Sequence, residues 1–236
     1  MSLTVQPGLA PAASGDVTVV HFVRHGLVHN PEGILYGRLP DFHLSAAGRA
    51  MAERVAETLA DRPVRALVSS PLERAQETVA PLAERLGLQP RIDDRLIEAD
   101  SVFEGRHVSV GDGSVRDPHS WRHLRNPFRP SWGEPYRQIA ARMLAALADA
   151  RAAAQADGRG GEAVCVSHQL PIVTLRRFLA GQHLWHDPRR RDCAVASITS
   201  LTFDGDELLA IHHAEPAADL VAKAAVVVAD QPSSGA

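Results

Sequence analysis

The chain has 236 residues, 45% of them hydrophobic but only 5% aromatic, and a formal net charge of −3 from 25 basic and 28 acidic side chains. That length accommodates one large domain or two small ones around a sizeable core, and the charge balance excludes bulk attraction to nucleic acid or to an anionic membrane. Two cysteines, Cys165 and Cys193, make neither a disulfide framework nor a structural zinc set; no signal peptide stands at the start, and apolar stretches such as 224–229 are too short to span a bilayer, so the chain reads as cytoplasmic.

Residues 1–16, rich in Pro, Ala, Ser and Gly, read as a flexible tail. VTVVHFV (17–23) is a β-branched, apolar run with the character of a buried strand. Ser45 is a candidate N-cap for a helix in which Ala47, Met51, Val55 and Leu59 recur at helical spacing. ALVSS (66–70) is a second strand; Pro71 suits the first helical position, and the helix runs to Leu86 before Gly87 ends it. Residues 106–133 carry Gly111, Gly113, Pro118, Pro127 and Pro130 with little periodicity and read as an irregular insertion. An alanine-rich helix covers 134–154. AVCVSH (163–168) is a third buried strand, with Cys165 as a buried thiol, and a helix follows from Pro171 to Ala180. Residues 196–213 alternate around Asp204-Gly205, the pattern of a hairpin. Residues 216–236 read as a partly disordered extension.

Strands alternating with helices predict an α/β domain over 17–215: a three-layer sandwich with a mostly parallel central sheet flanked by helices. Ligands of such sheets bind outside the carboxyl ends of the strands. The first predicted strand exits into Arg24-His25-Gly26, the second into Ser70-Pro71-Leu72-Glu73-Arg74, the third into Ser167-His168. Parallel neighbours would therefore gather Arg24, His25, Arg74 and His168 on one face. Guanidiniums present forked donors that match phosphate oxygens; imidazole is a nucleophile, base or donor near neutrality. Four such groups repel one another in an empty cleft, and a bound dianion relieves the repulsion. Taken singly, the tripeptide, a histidine ending a strand and one helix arginine are weak signals; their joint occurrence at three strand exits is the informative observation.

In that order the motifs resemble the histidine phosphatase (phosphoglycerate mutase-like) superfamily, branch 1 type. HFVRHGLVHN (21–30) is similar to its Arg-His-Gly signature, SSPLERAQET (69–78) to its second arginine segment and AVCVSHQLPI (163–172) to its second histidine segment. GRLPDFHLSAAGRAMA (37–52), DRLIEADSVFEG (94–105) and WGEPYRQIAAR (132–142) resemble its connecting segments, so the likeness runs from about residue 17 to about 213. The resemblance implies that His25 is the nucleophile forming a phosphohistidine, that Arg24, Arg74 and His168 hold the phosphoryl oxygens, that Asn30 lines the phosphate pocket, and that Glu98 is the proton donor. Asp100 and Glu104 are rivals for that acid role, Glu104 having the more structural setting. Val28 departs from the family, which usually has a small polar or acidic residue there; Gln169 departs where many members have glycine.

The implied activity is phosphomonoester hydrolysis of a small phosphorylated metabolite without a cofactor. The alternatives are phosphoglycerate mutase-type transfer and a non-catalytic phospholigand-binding module on the same fold. The insertion is expected to form the substrate rim, with Arg106 and His107 beside Gln169 as candidates. Despite 12 histidines, no His-Glu-x-x-His helix or carboxylate–histidine cluster suggests a metal. Alanine-rich helices could serve a homodimer interface; ordinary helix packing explains them equally well.

Overall fold

In a computed structural model, which describes residues 3–106, 133–155, 159–185 and 192–229, seven strands form one sheet. These are β1 (Val5–Pro7), β2 (Val17–Arg24), β3 (Val64–Ser69), β4 (Arg91–Ile92), β5 (Glu162–Ser167), β6 (Ile198–Asp204) and β7 (Glu207–Ala214). Their order is β1-β7-β6-β2-β5-β3-β4. Every neighbouring pair is parallel except β6 with β2 and β6 with β7, so β6 alone runs against the others. The helices are α1 (Ala46–Leu59), α2 (Glu73–Leu86), α3 (Tyr136–Ala154), α4 (Gln169–Leu179) and α5 (Ala218–Ala229). This is the expected α/β sandwich. The expected insertion lies almost wholly outside the described residues.

Two cores follow from strand alternation, since successive side chains leave a strand on opposite faces. Val20, Phe22, Ala163, Cys165, Leu201 and Phe203 face α3 and its Ile139, Met143 and Ala146. Val23, Val164, Val166 and Ile198 face α1 and α2, against Met51, Val55, Val79 and Leu82. Cys165 is fully buried, which pushes its thiol pKa up to about 12. Ser45 caps α1 by accepting from Gly48 N at 3.0 Å, and Gly87 closes α2 in the left-handed region at φ 64°. The start of α2 differs from expectation. Pro71 lies before the helix, because Pro71 and Leu72 form a bend and the helix begins only at Glu73, with Leu72 as its N-cap.

The N-terminal expectation needs correction, and much of the C-terminal extension is helical. Residues 5–7 are no loose tail: β1 pairs in parallel with β7, with Val5 opposite Ile211, covering backbone groups that an edge strand would otherwise expose. Residues 218–229 form α5, whose Leu220, Val221 and Ala224 pack on the α1–α2 core.

The region before β2 is also pinned from beneath. Glu162, wholly buried, accepts from His21 Nε2 (2.9 Å), Arg62 Nε (2.6 Å) and Nη2 (2.8 Å), and Ala13 N (2.8 Å). Arg62 also donates to Ala10 O and Pro11 O, both at 3.0 Å, while His21 Nδ1 meets Ser200 Oγ at 2.8 Å. With Nε2–H donating to the carboxylate and Nδ1 accepting from the hydroxyl, a neutral His21 is fully satisfied. Burial holds His21 below its usual 6.5. The hydrogen bonds of His21 and Arg62 overcome the burial of Glu162 and bring its pKa down to about 2.

Both shifts have the same sign in acid. The carboxylate contributes fully above about pH 4.5, and its contribution is lost as pH falls towards 2. The unfolded chain gains a proton on His21 below about pH 6.5 that the folded chain resists. Unfolding free energy should therefore drop steadily between pH 7 and 4. Glu162→Gln should cost about 3 kcal/mol at pH 7 and flatten the further decline below about pH 4.5, where the carboxylate titrates; urea titrations giving parallel curves for both proteins in that range would refute the assignment.

Candidate active site

The register of the three central strands sets the level at which the site is built. Arg24 pairs with Ser167 and Ser69 with Val166, so His25, Ser70 and His168 leave the sheet side by side. His25 N donates to Ser167 O at 3.1 Å and Ser70 N to Val166 O at 3.0 Å. The His25 and His168 rings lie 5.1 Å apart, tilted by 56°. They are 1% and 0% exposed, and their surroundings are cationic and polar rather than apolar.

His25 Nδ1 lies 2.8 Å from Gly26 O. Because a carbonyl only accepts, Nδ1 carries the proton and Nε2 keeps its lone pair. Burial, then Arg24 and Arg74, hold the His25 pKa well below 6.5; burial, then His25 and the same arginines, do so for His168. His168 Nε2 meets Ser70 Oγ at 2.8 Å, and its Nδ1 has no hydrogen-bond partner among the described residues.

Arg74 is wholly buried in the first turn of α2. Its Nη2 donates to Gly37 O at 2.5 Å, while Nε and Nη1 have no partner among the described residues. Arg24 is similar: Nη1 donates to Cys193 O at 2.7 Å, and Nε is unpartnered on the same terms. Buried donors are nearly always satisfied in folded proteins. Here four partnerless buried nitrogens, Arg24 Nε, Arg74 Nε and Nη1 and His168 Nδ1, belong to the three residues expected to hold a phosphoryl group. The N-terminus of α4, whose N-cap is His168, adds backbone donors and a dipole suited to an anion.

Glu98 lies in the segment after the 3-10 turn Asp94–Leu96. Its Oε1 accepts from Ala99 N at 2.8 Å, and its carboxyl is coupled electrostatically to Arg74 and Arg24. Burial raises its pKa above 4.5, outweighing that hydrogen bond and those cations. Its backbone is fastened in turn: Arg38 Nε donates to Glu98 O (2.8 Å), Arg38 and Arg142 share Glu134, and Arg142 also donates to Arg95 O (2.6 Å). Glu104 accepts from Arg38 N at 2.9 Å, a structural task. Asp100 is an exposed residue whose carbonyl accepts from Glu134 N.

The remaining expected residues are dispersed. Asn30 folds its amide onto Ile34, donating to its carbonyl (2.9 Å) and accepting from its N–H (3.2 Å), so its side chain closes a turn. Val28 is buried and bridges to Leu44, which accounts for an apolar residue at that position. Gln169 opens α4 next to His168. Arg106 is exposed, its backbone bonded to Leu35 and Phe103, and His107 lies outside the described residues. Among the described residues, no group of three or more His, Cys, Asp or Glu is placed to hold a metal, and no helix is long and apolar enough to cross a membrane.

The parts played by four residues escaped the sequence reading. Thr78 accepts from Gly26 N (3.0 Å) and donates to Arg74 O (2.6 Å), tying the His25 loop to α2. Gly26 and Gly48 bring that loop against α1: a Cβ on Gly26 would sit 2.6 Å from Gly48 O, and one on Gly48 would sit 2.0 Å from Leu27 O. Tyr36 stands against both His25 and Arg74. The Arg-His-Gly and Arg-Ala-x-x-Thr spacings contain Gly26 and Thr78, but only the fold reveals that they meet.

Residues 20–215 match the model of the histidine phosphatase superfamily (branch 1). An uncharacterized protein of Mycobacterium tuberculosis is 61% identical over 203 residues, 86% of this chain and 98% of that protein. The glucosyl-3-phosphoglycerate phosphatase of M. tuberculosis is 34% identical over 130 residues, 54% of this chain and 57% of that protein. A structure of the mycobacterial enzyme of that name in complex with inorganic phosphate covers 78% of this chain and 89% of its own, at 29% identity and a TM-score of 0.63. With its two imidazoles and two guanidiniums gathered at adjoining strand ends, the chain belongs to the histidine phosphatase superfamily, branch 1.

Proposed function

We propose that the protein hydrolyses small phosphomonoesters through a phosphohistidine at His25. The observation that carries this reading is the set of four unpartnered buried nitrogens on Arg24, Arg74 and His168 around a neutral imidazole. Binding of phosphate by the mycobacterial phosphatase with the related fold supports it.

In this scheme Arg24 and Arg74 take the non-bridging oxygens of the phosphoryl group. If the Ser70 hydroxyl donates to His168 Nε2, the His168 proton sits on Nδ1 and becomes a further donor to the same group. His25 Nε2 attacks phosphorus as the ester P–O bond breaks. Positive charge developing on the imidazole is balanced by the Gly26 carbonyl at Nδ1–H. Glu98 starts protonated and gives its proton to the departing alcohol. As a carboxylate it then takes a proton from water, which attacks phosphorus and breaks the P–N bond, releasing phosphate and restoring His25. The positive charge is supplied by protein side chains, so turnover should persist in EDTA.

His25→Ala should lose more than about a thousandfold of turnover while still binding phosphate. A variant that retained turnover would end the proposal, and an isomerised phosphate ester as product would replace hydrolysis with mutase chemistry.

The pKa directions also set a pH profile. His25 must be neutral, and its pKa lies below 6.5; Glu98 must be protonated, and its pKa lies above 4.5. Activity should therefore peak on the acidic side of neutrality and fall as pH rises through the Glu98 pKa. Glu98→Gln should lose about 10²- to 10⁴-fold on an alkyl phosphate, far less on p-nitrophenyl phosphate, whose leaving group needs little protonation. The ratio of wild-type to variant rates should shrink with rising pH, since substrate ionisation cancels in it; a constant ratio would assign the proton to another group.

A further inference from the structure

We propose that Tyr36, which the scheme above leaves idle, is a positioning residue: with Gly37 it clamps the Arg74 guanidinium so that Nε and Nη1 stay available to the phosphoryl group. The inference rests on the phosphoryl-transfer reading of the site.

A buried guanidinium on a flexible stem needs two constraints to present one edge reproducibly: something to fix its plane and something to fix its rotation within that plane. Tyr36 supplies the first, because the Arg74 Cζ lies 4.8 Å from the centroid of its ring. A cation over an aromatic face is attracted most strongly where water is excluded, and Arg74 is wholly buried. Gly37 supplies the second, its carbonyl accepting from Nη2 at 2.5 Å. The two nitrogens outside this clamp are the two without a partner among the described residues.

The clamp is itself held. Tyr36 stacks on Phe42, with centroids 5.1 Å apart and an interplanar angle of 25°. Gly37 sits at φ 40°, where a Cβ would fall 2.1 Å from Glu104 Oε1; that same oxygen accepts from Arg38 N. Tyr36 also faces the rest of the site, edge-on to the His25 ring at 6.3 Å and within the electrostatic influence of Arg24. One side chain thus stands against both the nucleophile and the buried arginine. A tyrosine that only filled the loop would affect folding stability, whereas a clamp affects how well the arginines fit a trigonal phosphoryl group. Misplacing such groups by about an ångström costs up to about a hundredfold in rate.

The test uses the full chain with p-nitrophenyl phosphate, vanadate as the transition-state-like probe, and calorimetric titration of inorganic phosphate. Tyr36→Leu should lower kcat/KM by about tenfold to a hundredfold, mostly in kcat, with vanadate affinity falling by the same factor. Tyr36→Phe, which keeps the ring, should stay within about threefold of wild type. Kinetics and vanadate affinity of Tyr36→Leu within about threefold of wild type would overturn the clamp, whatever its melting temperature. So would a Phe variant as impaired as the Leu variant, since the ring would then be irrelevant. If Tyr36→Leu does not fold, Phe42→Leu decides: a loss of about three- to tenfold in both readouts supports the clamp, and a change below about twofold overturns it. His25→Ala is run beside these. Should wild type prove no more active than His25→Ala, phosphate affinity still reads the clamp, expected to weaken in the Tyr36 variant; equal affinity would overturn it.

Discussion

A guanidinium removed from water must recover its hydrogen bonds or meet a counter-charge, and Arg74 does neither in full. Leaving two of its donors unsatisfied in the interior is costly, and Arg24 and His168 add to that cost within the same few ångströms. The rest of the structure can be understood as what makes this concentration of unmet demand sustainable. The imidazoles respond by staying neutral, so the repulsion among four potentially cationic groups reduces to that between two guanidiniums. The remaining deficit is complementary to an oxyanion, which is what the proposed function would bring to it.

Topology decides where the deficit sits. β2, β5 and β3 are parallel neighbours, so their carboxyl ends open at one edge and three distant segments deliver their side chains together. At the other end of the same strands, His21, Arg62 and Glu162 form a network in which the carboxylate meets all its cationic partners. The two ends are electrostatic opposites: a satisfied charge cluster that fastens the chain, and an unsatisfied one whose donors match an anion. His21 and His25 are four residues apart on one strand and its exit, yet only the first has partners at both ring nitrogens within hydrogen-bonding distance of other side chains.

The central strands and the quartet at their exits were legible because their signals are local: apolar runs of strand length, each followed within a few residues by a histidine or an arginine. Glu98 was legible only through family likeness, since its raised pKa comes from neighbours that no local pattern names. β1 was missed because three residues ending in proline carry no alternation, and their strand character comes entirely from the exposed edge of β7. The short, apolar run of α5 acquires a purpose only from the α1–α2 core it covers. Tyr36 had the weakest signal of all. It sits in a loop without periodicity, and its importance lies in contacts with residues 11 positions back and 38 positions ahead in the chain.

The facing glycines Gly26 and Gly48 constrain this chain in a further respect. Each is hemmed in by main-chain carbonyls rather than by side chains, so a clash created at one cannot be relieved by trimming a neighbour. The His25 loop and the first turn of α1 are consequently in register as two pieces of backbone, with no adjustable spacer between them. Diversification of substrate choice would have to proceed through the surrounding segments, because this seam has no slack to donate.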